Sequence, residues 1–294
     1  MRVILSHITR LEYAAEVMEG VMDARLGPLS DDHQRWSRFE LRAEPNASVS
    51  RYVDGFGNAA HLITLRRSHH FLEVTSHGEV DTLLVDPFAL PSNPPPPLSP
   101  AERADYLLPS ALVPLDAEIE NMAAPFRPSA SEDILEVTQR LMNLVYAGFT
   151  YEERVTDVFT TVPDIIAARR GVCQDFAHVL IALCRSIQVP ARYVSGYIVT
   201  SHQHQLQSLG GMTQSQTQSH EPRRGADASH AWVEVFTPLY GWRGLDPTNN
   251  LVASEHHVKM AVGRDYRDVS PSRGAYRGGA SEHLSVIVSV RPGD

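Results

Sequence analysis

The stretch Gly171-Val172-Cys173-Gln174-Asp175-Phe176-Ala177-His178 decides how the second part of the chain folds and what chemistry it supports. Helical spacing of apolar residues continues from it to about Ile187, and Pro190 prevents further extension. Cys173 therefore lies in the first turn of a helix, where the helix dipole and unpaired N–H groups favour a thiolate. The stretch predicts an open, nucleophilic sulfur. The plainer alternative is a cysteine that packs as a small hydrophobe.

Two later segments carry the residue types that a nucleophilic cysteine needs. Residues 229–234 (Ser-His-Ala-Trp-Val-Glu) alternate as a strand that begins at His230. Asp246 ends the following strand, so a hairpin across residues 238–241 would bring its carboxylate to His230. The sequence therefore predicts a nucleophile, a base and an orienting acid, the logic of a Cys-His-Asp triad with Cys173.

These motifs resemble the Cys, His and Asp blocks of the bacterial branch of the transglutaminase-like superfamily, a relative of papain-type cysteine proteases with an accompanying N-terminal β domain. The resemblance covers most of residues 130–290 tightly and 1–85 more loosely. It implies that Cys173 is the nucleophile, His230 the general base and then acid, and Asp246 the residue that orients His230. The blocks that match are Gly171–Asp175, Pro190–Tyr197, Ser229–Glu234, Leu245–Asn249 and Gly263–Val269.

Other side chains are candidates for supporting parts of the site. Gln174 is a candidate second donor to an oxyanion, beside the backbone N–H of Cys173, or else a solvent-facing glutamine. Trp232 is a candidate wall of the substrate channel or a core residue. Asp175 is expected to satisfy the helix N-terminus. A final group either surrounds the site or forms surface ion pairs: Arg264, Asp265 and Tyr266.

The fold class predicted for the whole chain is α+β. Residues 1–85 are expected to form an antiparallel β-sandwich domain, and residues 86–120 a semi-rigid proline-rich linker, because nine prolines lie between Pro87 and Pro114. Residues 121–294 are expected to form a catalytic domain of helices packed on an antiparallel sheet. Within it, the Gln- and Ser-rich residues 201–228 predict a long mobile loop.

Individual elements follow from residue patterns. Strands are predicted at 39–42, 48–53 and 71–74, with a hairpin turn at Asp54-Gly55-Phe56-Gly57-Asn58. Helices are predicted from the capping sequence Ser129–Glu132 to Gly148, over Pro163–Arg169, and from Cys173. Later strands are predicted at 191–200, 230–236, 241–245 and 284–290.

Composition excludes several classes of function. The 26 Lys and Arg residues against 35 Asp and Glu give a formal net charge of −9, so there is no basic excess for nucleic acid or an anionic membrane. The two cysteines, Cys173 and Cys184, form neither a disulfide framework nor a zinc site. No apolar run approaches a membrane span. We expect no metal, no cofactor and a cytoplasmic protein, with a peptide or protein as its substrate.

The function predicted from these residues is acyl transfer from an amide through a thioester. Water as the second nucleophile would make the protein a cysteine peptidase or amidase that acts on peptide or isopeptide bonds. This hydrolytic reaction is the one favoured for a compact bacterial protein. A primary amine in place of water would make it a protein-glutamine transglutaminase. A non-catalytic binding or scaffold module is the alternative of another class, and the sequence leaves the oligomeric state open.

Overall fold

The N-terminal region builds a two-layer antiparallel sandwich, as the sequence predicts. The computed structural model describes residues 1–27, 29–199 and 229–293. In β1, buried Val3 and Leu5 alternate with more exposed neighbours, the pattern of a strand with one face on a core. The strands of this region are β1 (Arg2–Val17), β2 (Glu19–Ala24), β3 (Gln34–Glu44), β4 (Ser48–Val53), β5 (Ala59–Leu65) and β6 (His69–Thr82).

Helices and then strands follow, which confirms the α+β class. The helices are α1 (Pro100–Leu107), α2 (Ala117–Ala123), α3 (Ile134–Gly148), α4 (Val162–Ala168), α5 (Cys173–Ser186) and α6 (Tyr266–Val269), with a 3₁₀ turn at Ala124–Phe126. The remaining strands are β7 (Thr150–Tyr151), β8 (Arg170–Gly171), β9 (Ala191–Ile198), β10 (His230–Thr237), β11 (Gly241–Asp246), β12 (Leu251–Val252), β13 (His257–Gly263), β14 (Ser272–Arg277) and β15 (Glu282–Pro292).

The two last strands return to the N-terminal sandwich, which corrects the expected domain division. The sandwich sheets have the orders β15-β1-β6-β3 and β14-β2-β5-β4. β15 pairs antiparallel with β1 over eleven residue pairs, from Val3 with Pro292 to Tyr13 with Glu282. Residues 272–292 therefore complete the sandwich and do not join the five-stranded sheet, although one catalytic domain was predicted over all of 121–294.

The proline-rich segment contains a helix that the sequence analysis did not predict. Pro100 stands at the first position of α1, where its missing N–H is not needed, and Ser99 and Glu102 form a capping box. Ahead of the helix, Arg243 of β11 donates from Nε to the carbonyl of Pro87 at 2.8 Å. The linker is thus attached to β11 and is partly helical.

The second part of the chain is built on a five-stranded antiparallel sheet, ordered β12-β11-β10-β9-β13, with α5 buried against it. Phe176, Val179, Leu180 and Leu183 of α5 are fully buried, so the sheet and the surrounding helices hold α5 along its whole length. Positive φ at Arg169 ends α4, at the last residue of the helix predicted over Pro163–Arg169. The predicted loop 201–228 lies outside the described residues.

Two side-chain amides of the sandwich pair with the free edge of β13. Gln34 accepts from the backbone N–H of Lys259 at 2.9 Å and donates to its carbonyl at 2.6 Å. Asn58 accepts from the N–H of Val262 and donates to its carbonyl, both at 2.8 Å. Each amide replaces one residue of a missing neighbouring strand, so the sandwich satisfies an edge that would otherwise be open.

Replacing either amide is therefore expected to destabilise the protein. Gln34→Ala or Asn58→Ala leaves a buried N–H and carbonyl of β13 without partners, which costs about 1–3 kcal/mol in the free energy of unfolding. Urea unfolding measures the change, and Asn93→Ala, at an exposed position, is the matched control. If Asn58→Ala costs no more than Asn93→Ala, the amide pairing does not hold the edge.

Candidate active site

The start of α5 presents the Cys173 side chain at the edge of the core. Val172 is the last extended residue before the helix, and its N–H donates to Asp175 Oδ2 at 2.7 Å. Thr156 Oγ1 donates to the same oxygen, also at 2.7 Å. A Cβ at Gly171 would collide with the Asp175 carboxylate, so glycine is needed there. Asp175 is thus a buried helix-capping carboxylate that shapes the turn before Cys173.

The hairpin of β10 and β11 brings His230 and Asp246 together. Its register pairs Val233 with Leu245 and Thr237 with Gly241, so Asp246 comes beside the beginning of β10. His230 Nε2 lies 2.8 Å from Asp246 Oδ2, and both side chains are fully buried. The pairing expected across residues 238–241 is what creates this contact.

Asp246 is held by several donors besides His230. Its Oδ1 accepts the backbone N–H groups of Thr248 at 3.0 Å and Asn249 at 3.2 Å. Its Oδ2 accepts the Asn249 side-chain amide at 2.8 Å. Because an ionised carboxylate only accepts, His230 Nε2 carries the proton, which leaves Nδ1 as the basic atom of the ring.

The charges of this pair stabilise each other. Burial, the largest influence, would lower the pKa of His230, but the charge and hydrogen bond of Asp246 outweigh it and raise that pKa well above its ordinary value. Burial would likewise raise the pKa of Asp246, but the charge and hydrogen bond of His230 hold it far below the usual range. The imidazolium that forms when His230 Nδ1 takes the proton of the Cys173 thiol is therefore stabilised.

The Cys173 side chain completes the arrangement from the α5 side. It is half-buried, whereas the sheet buries His230. Within the described residues, His230 Nδ1 makes no hydrogen bond of ordinary geometry. Cys173 is nevertheless close enough to contribute to the raised pKa of His230 through hydrogen bonding and charge. The basic ring nitrogen is therefore available to the thiol.

The second cysteine lies in a different environment. Cys184, on the same helix, is fully buried in the core. Burial raises the pKa of its thiol to about 12, with the charge of Arg185 acting weakly in the opposite direction. Because the thiolate is the reactive form, Cys184 is chemically inert at neutral pH.

Gln174 and Trp232 occupy different surroundings. The Gln174 side-chain nitrogen, next to the nucleophile in sequence, is buried without a hydrogen-bond partner in the described part of the chain. Trp232 is 2% exposed and packs with Val194, Ala253 and Val262, so its ring fills a core rather than walling an open channel. The ring also stacks on His230, with centroids 6.2 Å apart.

Residues 264–266 bind partners on α6, on the linker and on α5. Arg264 pairs with Asp268, with Nε 2.9 Å from Oδ2. Asp265 is buried, caps α6 and accepts the N–H of Leu112 at 3.1 Å. Tyr266 donates its backbone N–H to His178 Nε2 at 3.1 Å. These residues secure α6 against α5.

One residue of the site was missed by sequence reasoning. His257 Nε2 lies 3.4 Å from Asp246 Oδ2, so two imidazoles face one carboxylate oxygen. His257 is the first residue of β13. This strand pairs with β9 on the side of β9 that faces away from β10. The only sequence signal was its place at the head of an apolar strand, which does not distinguish it among 14 histidines.

Across residues 1–27, 29–199 and 229–293, no group of three or more His, Cys, Asp or Glu side chains is arranged to hold a metal ion. None of the helices described above combines the length and hydropathy needed to cross a bilayer.

Known proteins share this architecture. Residues 120–247 match the transglutaminase-like superfamily, and residues 3–81 match the bacterial transglutaminase-like N-terminal region. An uncharacterized Mycobacterium tuberculosis protein (strain H37Rv) is 32% identical over 308 residues, covering 98% of this chain and 92% of that protein. One from Mycobacterium leprae is 29% identical, covering 99% and 98%.

A solved structure agrees with the fold. It comes from Cytophaga hutchinsonii and is described as a "Putative Cysteine Protease". It superposes with a TM-score of 0.73 at 21% identity, covering 100% of this chain and 92% of that one. At this identity the likeness establishes a shared fold.

Proposed function

The chain belongs to the transglutaminase-like superfamily, and on that premise we propose that it is a cysteine enzyme that transfers acyl groups from amide bonds through a thioester. The observation that carries the proposal is the 2.8 Å contact of His230 Nε2 with Asp246 Oδ2, with Cys173 at the start of the neighbouring helix. This combination supplies a nucleophile, a base and an orienting acid.

The first half of the reaction forms the thioester. Cys173 transfers its proton to His230 Nδ1, and the thiolate attacks the amide carbonyl carbon. The carbonyl π electrons move to oxygen, giving a tetrahedral oxyanion. When the oxyanion collapses, the C–N bond breaks and the imidazolium gives its Nδ1 proton to the leaving amine. Asp246 stays ionised throughout and stabilises the imidazolium.

The oxyanion needs donors at the helix start. The backbone N–H of Cys173 is one, because first-turn N–H groups have no intrahelical acceptor. We assign the second to the Gln174 side-chain amide, whose nitrogen is buried next to the nucleophile without a partner among the described residues. A buried N–H donor that has no partner gains a hydrogen bond when the oxyanion forms.

The second half of the reaction sets the enzyme class. His230 Nδ1 takes a proton from water, the oxygen attacks the thioester carbon, and the thiolate leaves to give a carboxylic acid. A primary amine in the same position gives a new amide. We propose hydrolysis of a peptide or isopeptide bond as the main reaction, in line with the description of the Cytophaga protein. Two free thiols support a reducing compartment, the cytoplasm, as its location.

Mass spectrometry of the protein incubated with a peptide library and a primary amine tests this function. Cleaved or deamidated peptides that Cys173→Ala fails to produce support hydrolysis, and amine adducts with the same dependence support transamidation. The Cys184→Ala variant is the matched control and should give the wild-type products. If the wild-type protein gives no product that the Cys173→Ala variant lacks, the proposed acyl transfer is wrong, and a non-catalytic binding module is the function that remains.

A further inference from the structure

We propose that His257 is a positioning residue that fixes the Asp246 carboxylate and, through it, the imidazole of His230. The inference rests on the proposed function, because it assigns a role within the same site. It adds a fourth side chain, on a different strand, to the nucleophile, base and acid.

The backbone holds His257 rigidly. It is the first residue of β13 and pairs with Ile198 of β9. Its backbone N–H donates to the carbonyl of Ser254 at 3.0 Å. Its side chain is only 3% exposed, so the ring has little freedom to leave Asp246. β13 is also the strand whose outer edge the sandwich amides satisfy, so both domains fix the position of this ring.

Hydrogen-bond direction identifies which ring nitrogen carries the proton. The backbone N–H of Ser254 donates to His257 Nδ1 at 3.4 Å, so Nδ1 acts as an acceptor. The neutral ring then carries its proton on Nε2, which faces Asp246 Oδ2 at 3.4 Å. His257 therefore supplies a donor to the carboxylate without adding a positive charge that would compete with His230.

Ring packing links the two histidines. The His257 ring meets Trp232 edge to face, with centroids 5.3 Å apart at 70°. Trp232 in turn stacks on His230 at 26°, and the two imidazole centroids are 6.4 Å apart. The indole thus lies against both imidazoles, while Asp246 Oδ2 accepts from both. This arrangement fixes the plane of His230 as well as its hydrogen bond.

The charged groups near His257 other than Asp246 pair with one another, so Asp246 is the anion to which His257 donates. A cavity of about 30 Å³ beside His257 is also lined by Glu234 and Lys259. Lys259 Nζ lies 2.5 Å from Glu234 Oε1 and 2.7 Å from Asp31 Oδ2, and Arg192 Nη2 lies 2.6 Å from Glu234 Oε2. Two cations thus compensate these two carboxylates. Several titratable groups surround His257, His230 and the small cavity beside them. They are Cys173 from α5, His230 and Glu234 from β10, Asp246 from β11, Lys259 from β13 and His33 from the segment before β3.

Two variants separate positioning from packing. His257→Phe keeps a ring against Trp232 but removes the donor, and His257→Gln keeps an N–H near the position of Nε2. The readout is the rate at which iodoacetate alkylates Cys173 as a function of pH. The anionic carboxylate of iodoacetate is attracted by the imidazolium of His230. The alkylation rate therefore falls as His230 loses its proton at high pH. Iodoacetamide, which is uncharged, is the matched reagent.

Loss of the donor concentrates negative charge on Asp246, which then holds the proton of His230 more tightly. For His257→Phe we expect the high-pH limb of the iodoacetate profile to move up by about half to one unit. The His257→Gln profile should stay with the wild type. Equal shifts in both variants, or no shift in folded His257→Phe, would overturn the positioning role and leave a packing residue.

A measurement on the wild type keeps the inference testable if His257→Phe does not fold. Nitrogen-15 NMR of the imidazoles should show His257 protonated on Nε2 and unprotonated on Nδ1 at neutral pH, and the opposite tautomer would overturn the proposal. Failure of the proposed function gives a different result, namely that Cys173 in the wild type is alkylated no faster than an ordinary thiol. The His257 tautomer is measured independently of that outcome.

Discussion

Replacing Asp246 by asparagine is expected to lower kcat by about 10³- to 10⁴-fold on any peptide that the wild-type protein processes, with little change in fold. Two backbone N–H groups, of Thr248 and Asn249, point at the Oδ1 position and select the carbonyl of the new amide. The NH₂ group then faces His230 Nε2 and requires that nitrogen to accept. The proton moves to Nδ1, which can no longer take a proton from Cys173.

The measurement is kcat and KM for Asp246→Asn beside Asp268→Asn. The carboxylate of Asp268 pairs with Arg264 and is not part of the imidazole–carboxylate pair. Its replacement should leave kcat within about twofold of the wild type. A folded Asp246→Asn protein with wild-type kcat would show that this carboxylate does not set the tautomer of His230.

Replacing Cys173 by alanine is expected to reduce turnover by about 10⁴- to 10⁶-fold, the scale of losing a catalytic nucleophile. No thioester can form without the sulfur, and the remaining groups only bind and polarise the substrate. Cys173 is half-buried at the helix start, so the change should leave the core intact. Intact-protein mass spectrometry during turnover should show an acyl adduct on the wild type and none on the variant.

Cys184→Ala provides the control for thiol chemistry. Cys184 is fully buried in the core, and its replacement should alter the free energy of unfolding by about 1 kcal/mol while kcat stays near the wild-type value. If Cys184→Ala abolished turnover in a folded protein, or Cys173→Ala retained it, the assignment of the nucleophile would be wrong.

Local patterns were sufficient to predict the contact between His230 and Asp246. The short segment 238–241 forces the two strands into a hairpin, and strand alternation then fixes which residues share a face. Gly171 and Pro190 likewise bound the helix that begins at Cys173. In each case the determining residues lie within a few positions of the feature they determine.

Long-range pairings were beyond such reasoning. The sequence of β15 alternates over residues 284–290, but nothing near it indicates that its partner is β1 at the other end of the chain. His257 meets Asp246 because β13 crosses to the far side of β9, a topology that no local motif encodes. In the linker, the prolines suggested extended chain, but Pro100 stands where a helix tolerates it.

Alkylation of the native protein by iodoacetamide at near-neutral pH tests the central claim, an activated thiol at Cys173, most directly and without a known substrate. Peptide mapping gives the rate at each cysteine. We predict that Cys173 reacts at least about 100-fold faster than Cys184 and faster than free cysteine, whose thiol pKa is about 8.5. Equal rates at the two cysteines, or a rate at Cys173 no higher than that of free cysteine, would contradict it.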